Sequence, residues 1–86
     1  MEAMIERAHS LFRTSDLYLA SALKTANIEL ADIVKGDDGK AVFVFNPNGH
    51  NVNKIKADYF LGNLNQPVRL YVQNWKALRK AIEQVL

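Results

Sequence analysis

Eighty-six residues, 49% of them apolar, supply one small hydrophobic core and exclude a disordered chain. The absence of cysteine excludes a disulfide framework, a thiol nucleophile and a thiolate metal site. Net charge is only +2, but it is unevenly placed: residues 15–38 sum to −3 and residues 67–86 to +3.

In chain order, Met4, Ile5, Ala8, Leu11 and Phe12 recur at helical spacing and predict a short amphipathic helix. Thr14-Ser15-Asp16 supplies N-cap chemistry for a second helix, with Asp16 at its positive end. Leu19, Ala22, Leu23 and Ala26 form that helix's apolar stripe, Leu17 and Ala20 widen it, and Asn27 ends it. Ile28, Leu30, Ile33 and Val34 alternate imperfectly. The run Ala41-Val42-Phe43-Val44-Phe45 is the clearest strand, and its continuous apolarity implies burial on both faces, or one face on helices and the other in an interface. Gly36-Asp37-Asp38-Gly39 between them reads as a tight turn, which predicts a β-hairpin, and Asn46-Pro47-Asn48-Gly49 closes its second strand.

Residues 51–61 predict a helix that turns Val52, Ile55, Tyr59 and Phe60 inward and leaves through Gly62. After Pro67, Val68 reads as extended. The last helix runs from about Leu70 to Val85, with Tyr71, Trp75, Leu78, Ile82 and Val85 at near-ideal spacing. A lone hairpin is not stable in water, so the helices are expected to cover it. The expected fold is α+β, a short antiparallel β-hairpin covered by helices in the order α-α-β-β-α-α. Residues 1–86 are expected to form a single small domain, with 1–11 a helical extension and 12–86 the core.

The segment from Phe12 through Thr14-Ser15-Asp16-Leu17-Tyr18-Leu19-Ala20 resembles the opening of the DUF5659 family of small prokaryotic and viral proteins. Val42 to Phe45, Tyr59-Phe60-Leu61-Gly62 and the run from Arg69 to Leu78 are similar to later features of that family, so the resemblance covers about residues 12–86. Asn46 departs from the acidic residue such proteins often carry after the second strand. The resemblance implies this fold and a viral, prophage or mobile-element setting. It implies no activity.

The residues themselves argue against an enzyme. His9 and His50 fall in different elements without metal-ligand spacing, and the four glycines occupy turn and cap positions rather than a phosphate-cradling loop. Capping explains Asp16, and a solvated helix face explains Asp58. A catalytic role for Asp16, Tyr18 or His50 would require one cleft to bring them together. No metal and no cofactor are expected. The start at Met1–Arg7 lacks a signal-peptide pattern and no stretch approaches eighteen apolar residues, so no membrane is expected and the location is expected to be cytoplasmic, host cytoplasm if viral.

Two function classes remain. Surplus apolar surface predicts a protein-interaction or scaffolding module that self-associates as a homodimer. Its interface candidates are Met4, Ile5, Leu11, Phe12, Tyr18, Phe43, Phe45 and Phe60. The alternative is contact with DNA, RNA or an acidic protein partner through Arg69, Lys76, Arg79 and Lys80 of the last helix, joined by Lys54 and Lys56 of the preceding one. A small regulatory or inhibitor protein is the form the acidic-partner reading takes.

Overall fold

A computed structural model describes residues 11–86, which run β1 (Phe12–Thr14), α1 (Leu17–Thr25), β2 (Glu29–Lys35), β3 (Ala41–Asn46), α2 (Val52–Leu61) and α3 (Val68–Val85). The α+β class holds, with helices over a small antiparallel sheet. The expected order does not. Phe12–Thr14 is a strand where the apolar spacing predicts helix, so the hairpin becomes a three-stranded sheet in the order β1-β3-β2. The helix expected over Met4, Ile5 and Ala8 lies outside the described residues.

Strand β3 sits in the centre, and its position explains its apolarity. One side of its backbone pairs with β1, placing Phe12 opposite Phe45 and Thr14 opposite Phe43. The other side pairs with β2, placing Leu30 opposite Phe45 and Ile33 opposite Phe43. Cross-strand partners share a sheet face, so Phe12, Leu30, Ile33, Phe43 and Phe45 all point toward the helices. Leu30 and Ile33 are three apart, a spacing that would normally put them on opposite faces. The register shifts between Leu30 and Asp32, and this bulge restores parity by absorbing Ala31. The imperfect alternation of residues 28–35 is the sequence mark of that bulge. The turn into β3 is closed by Gly36 N–H to the Lys40 carbonyl at 2.7 Å, with Gly39 at φ 83°.

Helix α1 lies across this sheet face and is the centre of the core. Leu19 through Leu23 are all buried, and the small side chains of Ala20, Ser21 and Ala22 let sheet and helices approach together. The buried Ser21 hydroxyl donates back to the Leu17 carbonyl at 2.8 Å, so its own hydrogen is not stranded. Asp16 is the N-cap: its Oδ1 accepts from the N–H of Tyr18 at 2.9 Å and of Leu19 at 3.2 Å. At the other end Asn27 takes φ 68°, Asn27 N–H bonds the Lys24 carbonyl and Ile28 N–H bonds the Leu23 carbonyl. That paired exit stops the helix and drops Ile28 into the core beside Leu23.

The two later helices flank α1. Asn51 caps α2 through the Lys54 N–H, and Gly62 at φ 77° turns the chain out. Within α2, Val52 is buried and Ile55 and Tyr59 pack on the core, but Phe60 is left in solvent, contrary to its expected inward position. Helix α3 begins at Val68, two residues earlier than expected, and Val68 is helical rather than extended. Its buried stripe centres on Leu78, with Ile82 packed against the core.

Candidate functional site

The start of α1, the end of α2 and the start of α3 meet at one end of the molecule, and the Thr-Ser-Asp-Leu-Tyr segment holds them there. The Thr14 hydroxyl accepts the Asp16 N–H at 3.1 Å, which fixes the cap geometry. With Oδ1 occupied by the helix start, Asp16 turns Oδ2 toward the Tyr59 hydroxyl of α2, 3.4 Å away. Tyr18, two residues on, accepts the Tyr71 hydroxyl of α3 on its carbonyl at 3.2 Å, and its ring stacks on Trp75 with centroids 6.3 Å apart. Gln66 Nε2 donates to the Ala22 carbonyl at 2.9 Å and Asn74 Nδ2 to the Thr25 hydroxyl at 3.0 Å, which fixes the connecting segment and α3 along α1.

Between these elements opens a cleft of about 270 Å³ lined by Tyr59, Gly62, Leu64, Gln66, Val68 and Tyr71. The Tyr59 and Tyr71 hydroxyls and the Gln66 amide nitrogen of its walls already donate to the Asp16 cap and to α1 carbonyls, and the lining is mainly apolar. Burial raises the pKa of both Tyr59 and Tyr71, and the Asp16 carboxylate adds to each shift. Both phenols therefore stay protonated donors near neutrality, and neither is a poised base. His50, the other titratable candidate, is in the turn before α2, about nine residues and ~13 Å along the helix axis from Tyr59. Asp16 and Tyr18 thus share the cleft end of the fold, while His50 is remote. Asp58 is engaged by Lys54 Nζ at 2.9 Å on α2. Among the described residues no three acidic or histidine side chains gather in a metal-binding group.

Near the cleft several large apolar residues are exposed. Phe60 is 63% exposed and Leu61 72% on the last turn of α2, Val68 is 75% exposed at the start of α3, and Tyr18 is 56% exposed on α1. Of the interface candidates, Tyr18 and Phe60 therefore belong to this end. Phe43 and Phe45 do not: both are fully buried under the helices and offer no surface to a partner. Phe12 packs against the core from β1, and Leu11 precedes it, half-buried. Met4 and Ile5 lie outside the described residues.

The basic candidates separate into two groups. Lys56 Nζ lies 5.7 Å from the centre of the Phe12 ring, on the β1 edge of the sheet. Helix α3 instead lies toward β2, the opposite edge. Lys56 consequently does not join the α3 cations in one strip, and Lys54 is engaged by Asp58 on its own helix. On α3, Arg69, Lys76 and Lys80 are exposed and fall within about 40° of arc at 100° per residue. Arg79 is rotated away and rests over the Trp75 ring at 5.5 Å.

Leu61, at the end of the expected helix, and Val68, expected as extended, were not among the sequence's site candidates, nor were Leu64 and Gln66 between Gly62 and Pro67. The available signal was Leu61, Leu64 and Val68, large apolar residues bracketing a run otherwise made of Gly, Asn, Gln and Pro. The chain matches the family described as Domain of unknown function (DUF5659) over residues 9–84. No curated protein and no solved structure matches it.

Proposed function

We propose that this chain, which belongs to the DUF5659 family, works without catalysis as a protein-interaction module, and that it docks its partner at the cleft where the three helix ends meet. One observation carries the reading. Val68, exposed, lines an apolar cleft, and the exposed Phe60, Leu61 and Tyr18 adjoin its lining residues Tyr59, Gly62 and Tyr71. Scattered exposed apolar residues are ordinary, whereas a gathered set beside a cavity marks an interaction surface. The hydrogen bonds from Tyr59, Gln66 and Tyr71 into α1 hold the cleft open before any partner arrives, which lowers the ordering cost of binding.

Panning a random peptide display library against the protein and against its Phe60→Ser/Val68→Ser variant tests this. Clones that bind the first and not the second are expected. Enrichment that ignores the substitutions would overturn the reading, as circular dichroism can verify that the variant is folded. Self-association is the special case in which the partner is a second copy, and sedimentation of the two proteins at equal concentration separates it from hetero-association.

A second reading is favoured by the shared face of Arg69, Lys76 and Lys80, which suits a phosphate backbone. Three such contacts would give a salt slope of about −2.7 in log K against log salt. Mobility shift with mixed DNA and RNA at low salt, unchanged by alanine at all three positions, would end that reading.

A further inference from the structure

Resting on the cleft as a protein-docking site, we propose that its occupant is an acidic segment of a partner protein: one large apolar side chain seated in the cleft, followed by carboxylates laid along the outer face of α3. The volume, about 270 Å³, lies at the small end of the ~300–1,000 Å³ usual for ligand sites and leaves room for one large side chain. The lining favours an apolar anchor, because the Tyr59 and Tyr71 hydroxyls and one Gln66 amide hydrogen are already donated to the Asp16 cap and to α1 carbonyls. A polar anchor would be desolvated there with few groups left to pair with it.

The charge runs one way from the cleft. Past Val68 the outer face of α3 presents Arg69, Lys76 and Lys80, with no carboxylate anywhere between positions 69 and 80. Val72 is exposed beside them and offers a second apolar contact. No side chain caps the first turn of α3, so the positive end of its dipole has the same sign as Arg69. Arg69 to Lys80 spans ~16 Å of helix, a length that an extended strand covers in about five residues. The partner segment is therefore an aromatic or branched residue followed, within about five positions, by two or three Asp or Glu. A nucleic acid would use the same cations but leave Phe60, Leu61 and Val68 in water.

Fluorescence anisotropy on the full chain tests this with a short labelled peptide, one phenylalanine followed by alternating glutamate and serine, in low salt where rim charges are least screened. Companion probes replace the phenylalanine by alanine, or the glutamates by glutamine or by lysine, and a single-stranded DNA oligonucleotide of equal charge is run beside them. The acidic phenylalanine probe is expected to bind best. Loss of its phenylalanine, Val68→Glu in the protein, or Arg69→Glu/Lys76→Glu/Lys80→Glu should each weaken it about tenfold or more. The triple variant should come to prefer the lysine probe. Equal binding of acidic, neutral and basic phenylalanine probes, lost in Val68→Glu, overturns the acidic partner and leaves the docking reading standing. Failure of every phenylalanine probe overturns the inference, and the display experiment then judges docking independently. Tighter binding of the oligonucleotide than of the acidic probe, abolished by the triple variant, replaces the inference with the phosphate reading.

Discussion

Helices α1 and α3 lie side by side and are built to opposite ends. Helix α1 has nine residues, hides five in succession, and is closed by a side-chain cap at one end and a left-handed asparagine at the other. Helix α3 has eighteen, hides only Leu78, begins without a side-chain cap, and shows Arg69, Lys76 and Lys80 to solvent. The short helix makes the fold, and the long one covers it with one stripe while leaving the rest of its surface for contact. Sites that set stability and sites that set binding should therefore separate along this divide.

The sharpest way to break that comparison is a core substitution under α1. Phe45→Ala removes a fully buried ring at the centre of the sheet and should cost ~3–5 kcal/mol. Against a total of roughly 4–13 kcal/mol for a chain of this size, denaturant titration should find the midpoint sharply lowered, with the variant unfolded in water only if the parent stability lies near the bottom of that range. Next comes the cap. Asp16→Ala frees two α1 N–H groups and the Tyr59 hydroxyl together, and should cost about 1–2 kcal/mol in the same measurement. A loss well below that would mean the Asp16–Tyr59 contact does not help hold α2.

The contrasting substitution is Val68→Ser at the start of α3. It should move stability by no more than about 0.5 kcal/mol, since the side chain is already in water, while weakening partner binding. A large drop in stability would place Val68 in the structural class and remove it from the docking surface.

The smallest effect is the pH dependence of the tyrosines. Tyr71 holds its proton more tightly when folded than its ordinary value of 10.0 allows in the unfolded chain. Folding then favours the protonated form, so its contribution is complete below pH 10 and declines as pH rises above it. Tyr71→Phe should flatten the alkaline fall in stability relative to the parent protein, read as the difference between two melting curves across that range.

Most of the framework was legible, and the misses have specific causes. The caps at Asp16 and Asn27, the glycine turn, β3 and the Tyr71-Trp75-Leu78-Ile82 stripe all follow from short-range chemistry. Strand β1 was not legible: three residues are too few to show a period, and Leu11 and Phe12 happen to continue the helical spacing of Met4, Ile5 and Ala8. The break in alternation before Ile33 was visible, but its meaning as a bulge required the β3 register. Phe60 read as inward because its neighbour Tyr59 is, and one position of helix is a rotation of about 100°. At the cleft end, Tyr18 and Phe60 were among the sequence candidates, Leu61 lay in the expected helix without being singled out, and Leu64 and Val68 fell in a stretch with no periodic pattern.

The amino-acid order alone determined where helices start and stop and which strand is greasiest, because caps, turns and apolar spacing act between residues a few positions apart. Only the tertiary structure decided that β3 is central, that Phe43 and Phe45 are core rather than interface, and that three helix ends converge on one apolar cleft. Those outcomes depend on contacts between residues distant in the chain, such as Phe12 with Phe45 and Tyr71 with Tyr18, and no local pattern records them.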